Sequence, residues 1–162
     1  MSLPARLEPN PERCTEEDLR ALEQELGAEL PRDYRDFLAA CNGGAVEDGH
    51  SLEFDAESET HDVACFLGLS RDPRRYGLQR QYLTVRDDWD FPPSLLPIAV
   101  SVGPAKYYLG VGGPRHGKVL HHGQACLEKR EADGVLQVED FLVIAASFSA
   151  FMASLRCTRL DT

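Results

Sequence analysis

One stretch of this chain leaves little freedom in how it folds. Tyr34, Phe37, Leu38 and Cys41 fall at i, i+3, i+4 and i+7, and Asn42-Gly43-Gly44 follows at once. That spacing lays four apolar side chains along one stripe of a helix. Pro31, with its fixed φ, suits the first helical position. Asn and Gly tolerate positive φ, so the helix stops there and the chain turns sharply into what comes next. A preceding helix starts near Thr15, which can cap the first turn, with Asp18 three residues on as a weaker relative of the capping box. Leu19, Leu22 and Leu26 recur on one face of it, and Gly27 closes it.

After this helix pair the pattern changes. Short strands are expected around Ser51 to Phe54 and Val63 to Leu69, and a third helix near Arg74 to Val85. Three apolar, β-prone runs follow: Leu95 to Val102, Tyr107 to Val111 and Lys118 to His121. Gly103-Pro104 and Gly112-Gly113-Pro114 separate them as turns. Connections this short suggest an antiparallel meander, because parallel strands need crossovers of a dozen or more residues. A further strand is expected from Gln124 to Arg130, and a last helix from Val138 to Leu155. The order of helices, strands and helix favours an α+β fold over alternating α/β. Residues 1–14 read as an extended, Pro-rich arm and 15–162 as one domain, which suits a chain of 162 residues.

The formal net charge is −10. An acidic surface repels phosphate backbones and anionic headgroups and steers basic partners inward. This predicts neither nucleic-acid nor membrane binding. The longest nearly apolar run, Phe141 to Leu155, is shorter than the ~20 residues of a membrane span. The five cysteines Cys14, Cys41, Cys65, Cys126 and Cys157 show no zinc or redox spacing and read as reduced thiols of a cytoplasmic protein. The N-terminus shows no apolar h-region of a secretory signal.

No nucleophile elbow, Walker loop, dinucleotide fingerprint or zincin motif is present. Gly110-Val111-Gly112-Gly113 opens no predicted helix and reads as a hairpin turn. His121 and His122 are neighbours in a strand and point to opposite faces. His61 beside Asp62 could be half of an acid–base site, but no nucleophile accompanies it. Asp87, Asp88 and Asp90 surround Trp89. Their oxygens could hold Mg²⁺ or Ca²⁺, form a solvated loop, or frame Trp89 as the anchor of a protein interface. No cofactor or metal is expected.

Charge is also segregated. No Lys or Arg occurs between Asp36 and Ser70, where Glu47, Asp48, Glu53, Asp55, Glu57, Glu59 and Asp62 accumulate. Arg71, Arg74, Arg75, Arg80 and Arg86 follow. Either the two blocks pair on the surface, each pair worth little, or the acidic block meets a basic protein. The candidate partner-binding residues are therefore Asp87, Asp88, Trp89 and Asp90, then Glu53, Asp55, Glu57, Glu59 and Asp62.

LEQELGAELPRDYRDFLAACNGG, ending at Gly44, resembles the opening signature of the SUKH superfamily. LLPIAVSVGPAKYYLGVGGPRHGKVLHH resembles its central strands, and Ser147, Phe148, Phe151 and Leu155 resemble its closing helix, with Met152 in place of the usual Leu. The turn in the second block departs from the pattern. Ser101, Val102 and Ala105 stand where members commonly carry Asp, Gly and Asn. The resemblance implies a largely antiparallel, mixed sheet flanked by helices and no catalysis. Fungal members regulate cell-wall glucan synthesis, and bacterial members are similar to immunity proteins that block toxins, many of them nucleases with basic clefts. The function expected first is neutralisation of a toxin domain with a basic surface. A housekeeping regulatory or scaffolding module comes second, and a hydrolase using His61, His121 or Asp87 to Asp90 third.

Overall fold

A computed structural model describes residues 3–70, 77, 92–122 and 124–161. Two short helices open the domain, α1 (Glu16–Leu26) and α2 (Arg32–Cys41). The α1 start is a full capping box. Thr15 Oγ1 accepts the Asp18 N–H at 3.2 Å and the Asp18 carboxylate accepts the Thr15 N–H at 2.9 Å. Gly27 ends α1 in the left-handed region (φ 68°). Arg35 on α2 forks onto Glu16 and reaches Glu23 at 3.0 Å, tying the two helices together.

The strands are β1 (Leu7–Pro9), β2 (Gly44–Val46), β3 (His50–Ala56), β4 (Glu59–Val63), β5 (Cys65–Phe66), β6 (Leu95–Val100), β7 (Lys106–Gly110), β8 (Val119–His122), β9 (Phe141–Ala145) and β10 (Arg156–Arg159). Seven of them form one sheet in the order β1-β2-β5-β6-β7-β8-β9, and β10-β3-β4 form a second. Every pairing among the described residues is antiparallel. Helix α3 (Gln124–Glu131) and helix α4 (Phe148–Ser154) complete the α+β fold.

Alternation along the strands divides the interior in two. The main core joins Leu19, Leu22, Tyr34, Phe37 and Leu38 of the opening helices to Phe66, Ile98, Tyr107 and Leu109 of the sheet and Phe148 and Phe151 of α4. The other face of the sheet buries Leu95, Tyr108, Leu120 and Phe141 with Cys126 of α3 and Leu136.

Asn42 joins these parts. It caps α2 in the left-handed region (φ 51°) and is 1% exposed. Its side-chain amide donates to the carbonyls of Leu69 at 2.8 Å and Glu12 at 3.1 Å, and its side-chain oxygen accepts the Leu69 N–H at 2.8 Å. One side chain thus satisfies three backbone groups from two other segments. Gly68 must be glycine because the chain passes so close to the end of α2 that a Cβ there would collide with the backbone carbonyl oxygen of Asn42.

Three expectations need correction. Gln124 to Arg130 is helical, not a strand, as its run of Gln, Ala, Leu, Glu, Lys and Arg favours. The expected helix from Val138 to Leu155 is a 3-10 turn, strand β9 and then the seven-residue α4. The Phe141–Ala145 run is apolar because both faces of β9 are covered, which mimics a helical stripe. The true break is Ser147, whose Oγ accepts the Ala150 N–H at 3.0 Å. Val63 to Leu69 is not one strand: Val63 ends β4, and only the short β5, Cys65–Phe66, follows. Within the stretch read as an arm, β1 is hydrogen-bonded to β2 at the sheet edge. The helix expected at Arg74 to Val85 lies outside the described residues.

Two substitutions separate a satisfied buried polar group from an unsatisfied one. Asn42→Ala strands three backbone partners and should cost about 3 kcal/mol in urea denaturation. The Tyr34 hydroxyl is buried and finds no hydrogen-bond partner among the described residues. Tyr34→Phe should therefore leave stability unchanged or raise it by about 1 kcal/mol in the same assay.

Candidate protein-binding surface

The acidic block folds into the β3–β4 hairpin. Along β3, Leu52 and Phe54 turn into the core while Glu53 and Asp55 turn out. Along β4, Val63 turns in. Register pairs Glu53 with Asp62 and Asp55 with Thr60, so these four share the outer face. Glu57, Ser58 and Glu59 form the exposed tip. Among the described residues, no cation pairs with Glu57 or Glu59.

Glu47, Glu53, Asp55 and Asp62 are braced. Arg156 on β10 holds Asp55 through two bonds of 2.9 and 3.0 Å and lies 3.8 Å from Glu53. Its guanidinium, then the Thr60 hydroxyl, hold the Asp55 carboxyl below its usual range. Glu47 pairs with Arg6 at 3.2 Å. The described partners of the acidic block are thus Arg156 and Arg6, from the two ends of the chain. Arg71, Arg74, Arg75, Arg80 and Arg86, the partners weighed from sequence, lie outside the described residues.

Asp62 fixes the foot of the hairpin to the main sheet. Its carboxylate accepts the Val102 N–H at 2.8 Å, and its carbonyl accepts the Tyr107 hydroxyl at 2.7 Å. Val102 is 85% exposed at the tip of the β6–β7 turn. The Ser101 hydroxyl stiffens that turn by accepting the Ala105 N–H at 3.1 Å. Sequence reading missed Val102 as a surface feature. The available signal was a lone β-branched residue in a turn, with no core face to fill.

His61 and His121 come together from distant strands, ring centroids 5.2 Å apart. His61 also stacks on Phe54 and bonds the Ala56 carbonyl at 3.2 Å through Nε2. His121 is only 7% exposed, and burial, then His61 and His122, push its imidazole down to about 4. The Asp62 carboxylate is engaged elsewhere, with Val102. His122 lies on the opposite face, against Tyr108. Among the described residues, no cluster of three His, Cys, Asp or Glu side chains could hold a metal ion. Three open surface clefts, at the α1–α2 junction, beside β1 and beside β10, include neither His61 nor His121. Asp87, Asp88, Trp89 and Asp90 lie outside the described residues. No helix among the described residues is long and apolar enough to cross a membrane.

The profile of the SMI1 / KNR4 family (SUKH-1) matches residues 13–154. The chain belongs to that family. The match begins just before the Thr15 cap, ends at the last residue of α4, and includes the Asn42 hub and the hairpin. A relative, the SPbeta prophage-derived uncharacterized protein YokK of Bacillus subtilis (strain 168), is 30% identical over 158 residues, spanning 87% of this chain and 74% of its own length. No solved structure matches the chain. Within this SUKH-1 chain most residues that carry the resemblance map onto helix boundaries and core strands, while the acidic hairpin tip and the Val102 side chain are exposed at the surface.

The tip has a cost that can be measured. Glu57 and Ser58 both have positive φ, 54° and 63°, as a two-residue hairpin turn of type I′ requires, yet neither is Gly, Asn or Asp. Ser58→Gly should raise stability by about 0.5–1 kcal/mol in thermal unfolding, because it removes a left-handed penalty without touching a carboxylate.

Proposed function

We propose that this SUKH-1 protein is a non-catalytic immunity-type protein, acting in the cytoplasm, that neutralises a toxin domain by gripping a basic surface on it. The observation that carries this reading is the acidic hairpin. It presents Glu57 and Glu59 at its tip, with no cation paired to them among the described residues, and is held rigid below them by Arg156, Asp62 and the core. A preformed charged element loses little freedom on binding and accelerates encounter with an oppositely charged partner. Val102 would add an apolar contact beside it. Trp89, with Asp87, Asp88 and Asp90, enters the proposal as a second contact, an aromatic anchor in an acidic frame. A nuclease cleft, lined with cations for phosphate, has the complementary charge. The prophage origin of the Bacillus relative is in keeping with such a role.

The test is co-expression with the product of the neighbouring gene, followed by co-purification and a toxicity assay. Protection and a stable complex are expected. Changing Glu57→Lys and Glu59→Lys together should weaken the complex about ten- to a hundredfold, mainly through slower association and with a flatter salt dependence. Glu17→Lys with Glu25→Lys makes the same charge change on exposed positions of α1 and should have little effect. Equal losses from the two pairs would mean that net charge, not the hairpin, drives binding.

A further inference from the structure

We propose that the contact between His61 and His121 is an acid-sensitive latch that holds the β3–β4 hairpin onto the main sheet. The hairpin belongs to the smaller sheet, and His61 is its inward-facing residue nearest β8. His121 lies in the main sheet, paired on one side with Tyr107 of β7 and on the other with Leu142 of β9. The two rings meet edge to face at 5.2 Å, and behind His61 the stack continues to Phe54 at 5.3 Å.

A neutral His121 imidazole suits this contact and a charged one does not. The His121 Nε2 atom is buried and has no hydrogen-bond partner among the described residues. As an uncharged acceptor it gives up one hydrogen bond; as part of an imidazolium it would be a buried cation with a stranded N–H, a far larger cost.

Among the described residues no neighbouring element offers compensation. On β4, the Asp62 carboxylate is committed to the Val102 N–H and Glu59 is exposed at the tip. On β3, Asp55 is committed to Arg156. On β7, Lys106 is a further cation and the Tyr107 hydroxyl donates to the Asp62 carbonyl. On β8, His122 adds like charge when protonated. On α3, Lys129 is paired with Asp140 and Arg130 acts on His122 as a cation. β9 and α4 contribute no titratable side chain. The depressed His121 value of about 4 has this cause, with burial the largest part.

The sign follows from linkage. An opened contact lets His121 return to the ordinary imidazole range near 6.5, so the open state binds more protons between that value and about 4. The latch is fully closed above pH 6.5 and weakens as pH falls through that window. The hairpin moves rather than β8, because β8 is hydrogen-bonded on both sides. At its foot β4 runs on into β5, and Ala64 between them is hydrogen-bonded to Val46 and Val100; above that foot the hairpin meets the main sheet through side chains and the Asp62 links. Any effect on partner binding rests on the acidic-hairpin reading; the latch does not.

The test needs no partner, so its failure and that of the proposed function are separable. Amide hydrogen exchange is followed by NMR in the full chain from pH 7 to 4.5. Protection at Phe54, His61 and Val63 should fall about ten- to a hundredfold relative to Leu22 and Leu38 of the opening helices. His121→Phe, which keeps an aromatic ring and removes the proton site, should abolish that difference. Parallel loss of protection in hairpin and helices would overturn the latch, as would a wild-type response in His121→Phe. Should that variant not fold, the His121 ring resonances of the unaltered protein decide the matter. Titration with a midpoint above pH 5 overturns the proposal, and a midpoint at or below 5 supports it.

Discussion

A continuous run of aromatic contacts carries the architecture from its first helices to its acidic tip. Tyr34 and Phe37 of α2 meet Phe148 of α4 at 5.0 and 4.9 Å, and Phe37 meets Phe66 of β5 at 5.4 Å. Phe66 meets Phe151, and Phe151 meets Phe54 of the hairpin at 5.1 Å. Phe54 then leads through His61 to His121. Edge-to-face pairs of this kind add specific geometry to the burial of large rings. Here they join the helix layer, the seven-stranded sheet and the three-stranded sheet into one packed unit. The hairpin is mounted on this run, so its charged face is presented in a fixed orientation.

Asn42 has a different task. The aromatic run supplies burial, while Asn42 supplies register by pairing with backbone groups that would otherwise be orphaned where α2 ends. It fixes where the segment after β5 passes and where the N-terminal segment crosses it. This gives a physical reason for the Asn-Gly-Gly signature in this family member. The triplet is a helix stop and a three-way backbone clamp, and its side chain is buried. Such a signature specifies a scaffold and says little about what the scaffold holds. The surface features lie elsewhere, on a hairpin tip and a turn whose sequences the fold constrains only weakly.

That division explains what could be read without coordinates. The α1 cap, the Tyr34-Phe37-Leu38-Cys41 stripe and the Asn42 stop are local, and local spacing revealed them. The acidic composition of Glu53 to Asp62 was equally visible. Its hairpin geometry was not, because the Glu57-Ser58 turn lacks the glycine or asparagine that usually announces a type I′ turn. Strand β9 was misread because five apolar residues in a row fit a strand buried on both faces as well as a helical stripe. Helix α3 was misread although its composition favours helix. Long-range pairings left the weakest trace. Nothing near position 61 in the chain announces His121, and nothing near Asp55 announces Arg156.

Arg156 bears on how an acidic protein can be selective. A net charge of −10 attracts many basic surfaces at a distance, and salt screens that attraction beyond about 10 Å. Discrimination must come from groups fixed at close range. By engaging Asp55 and approaching Glu53, Arg156 removes two carboxylates from the general field and turns them into struts. Among the described residues no cation pairs with the tip carboxylates, and their spacing is set by the turn. A partner whose cations match Glu57 and Glu59 gains contact without reorganisation. One whose cations fall over Arg156 meets like charge. The same arginine thus stiffens the hairpin and restricts which basic surfaces can lie along it.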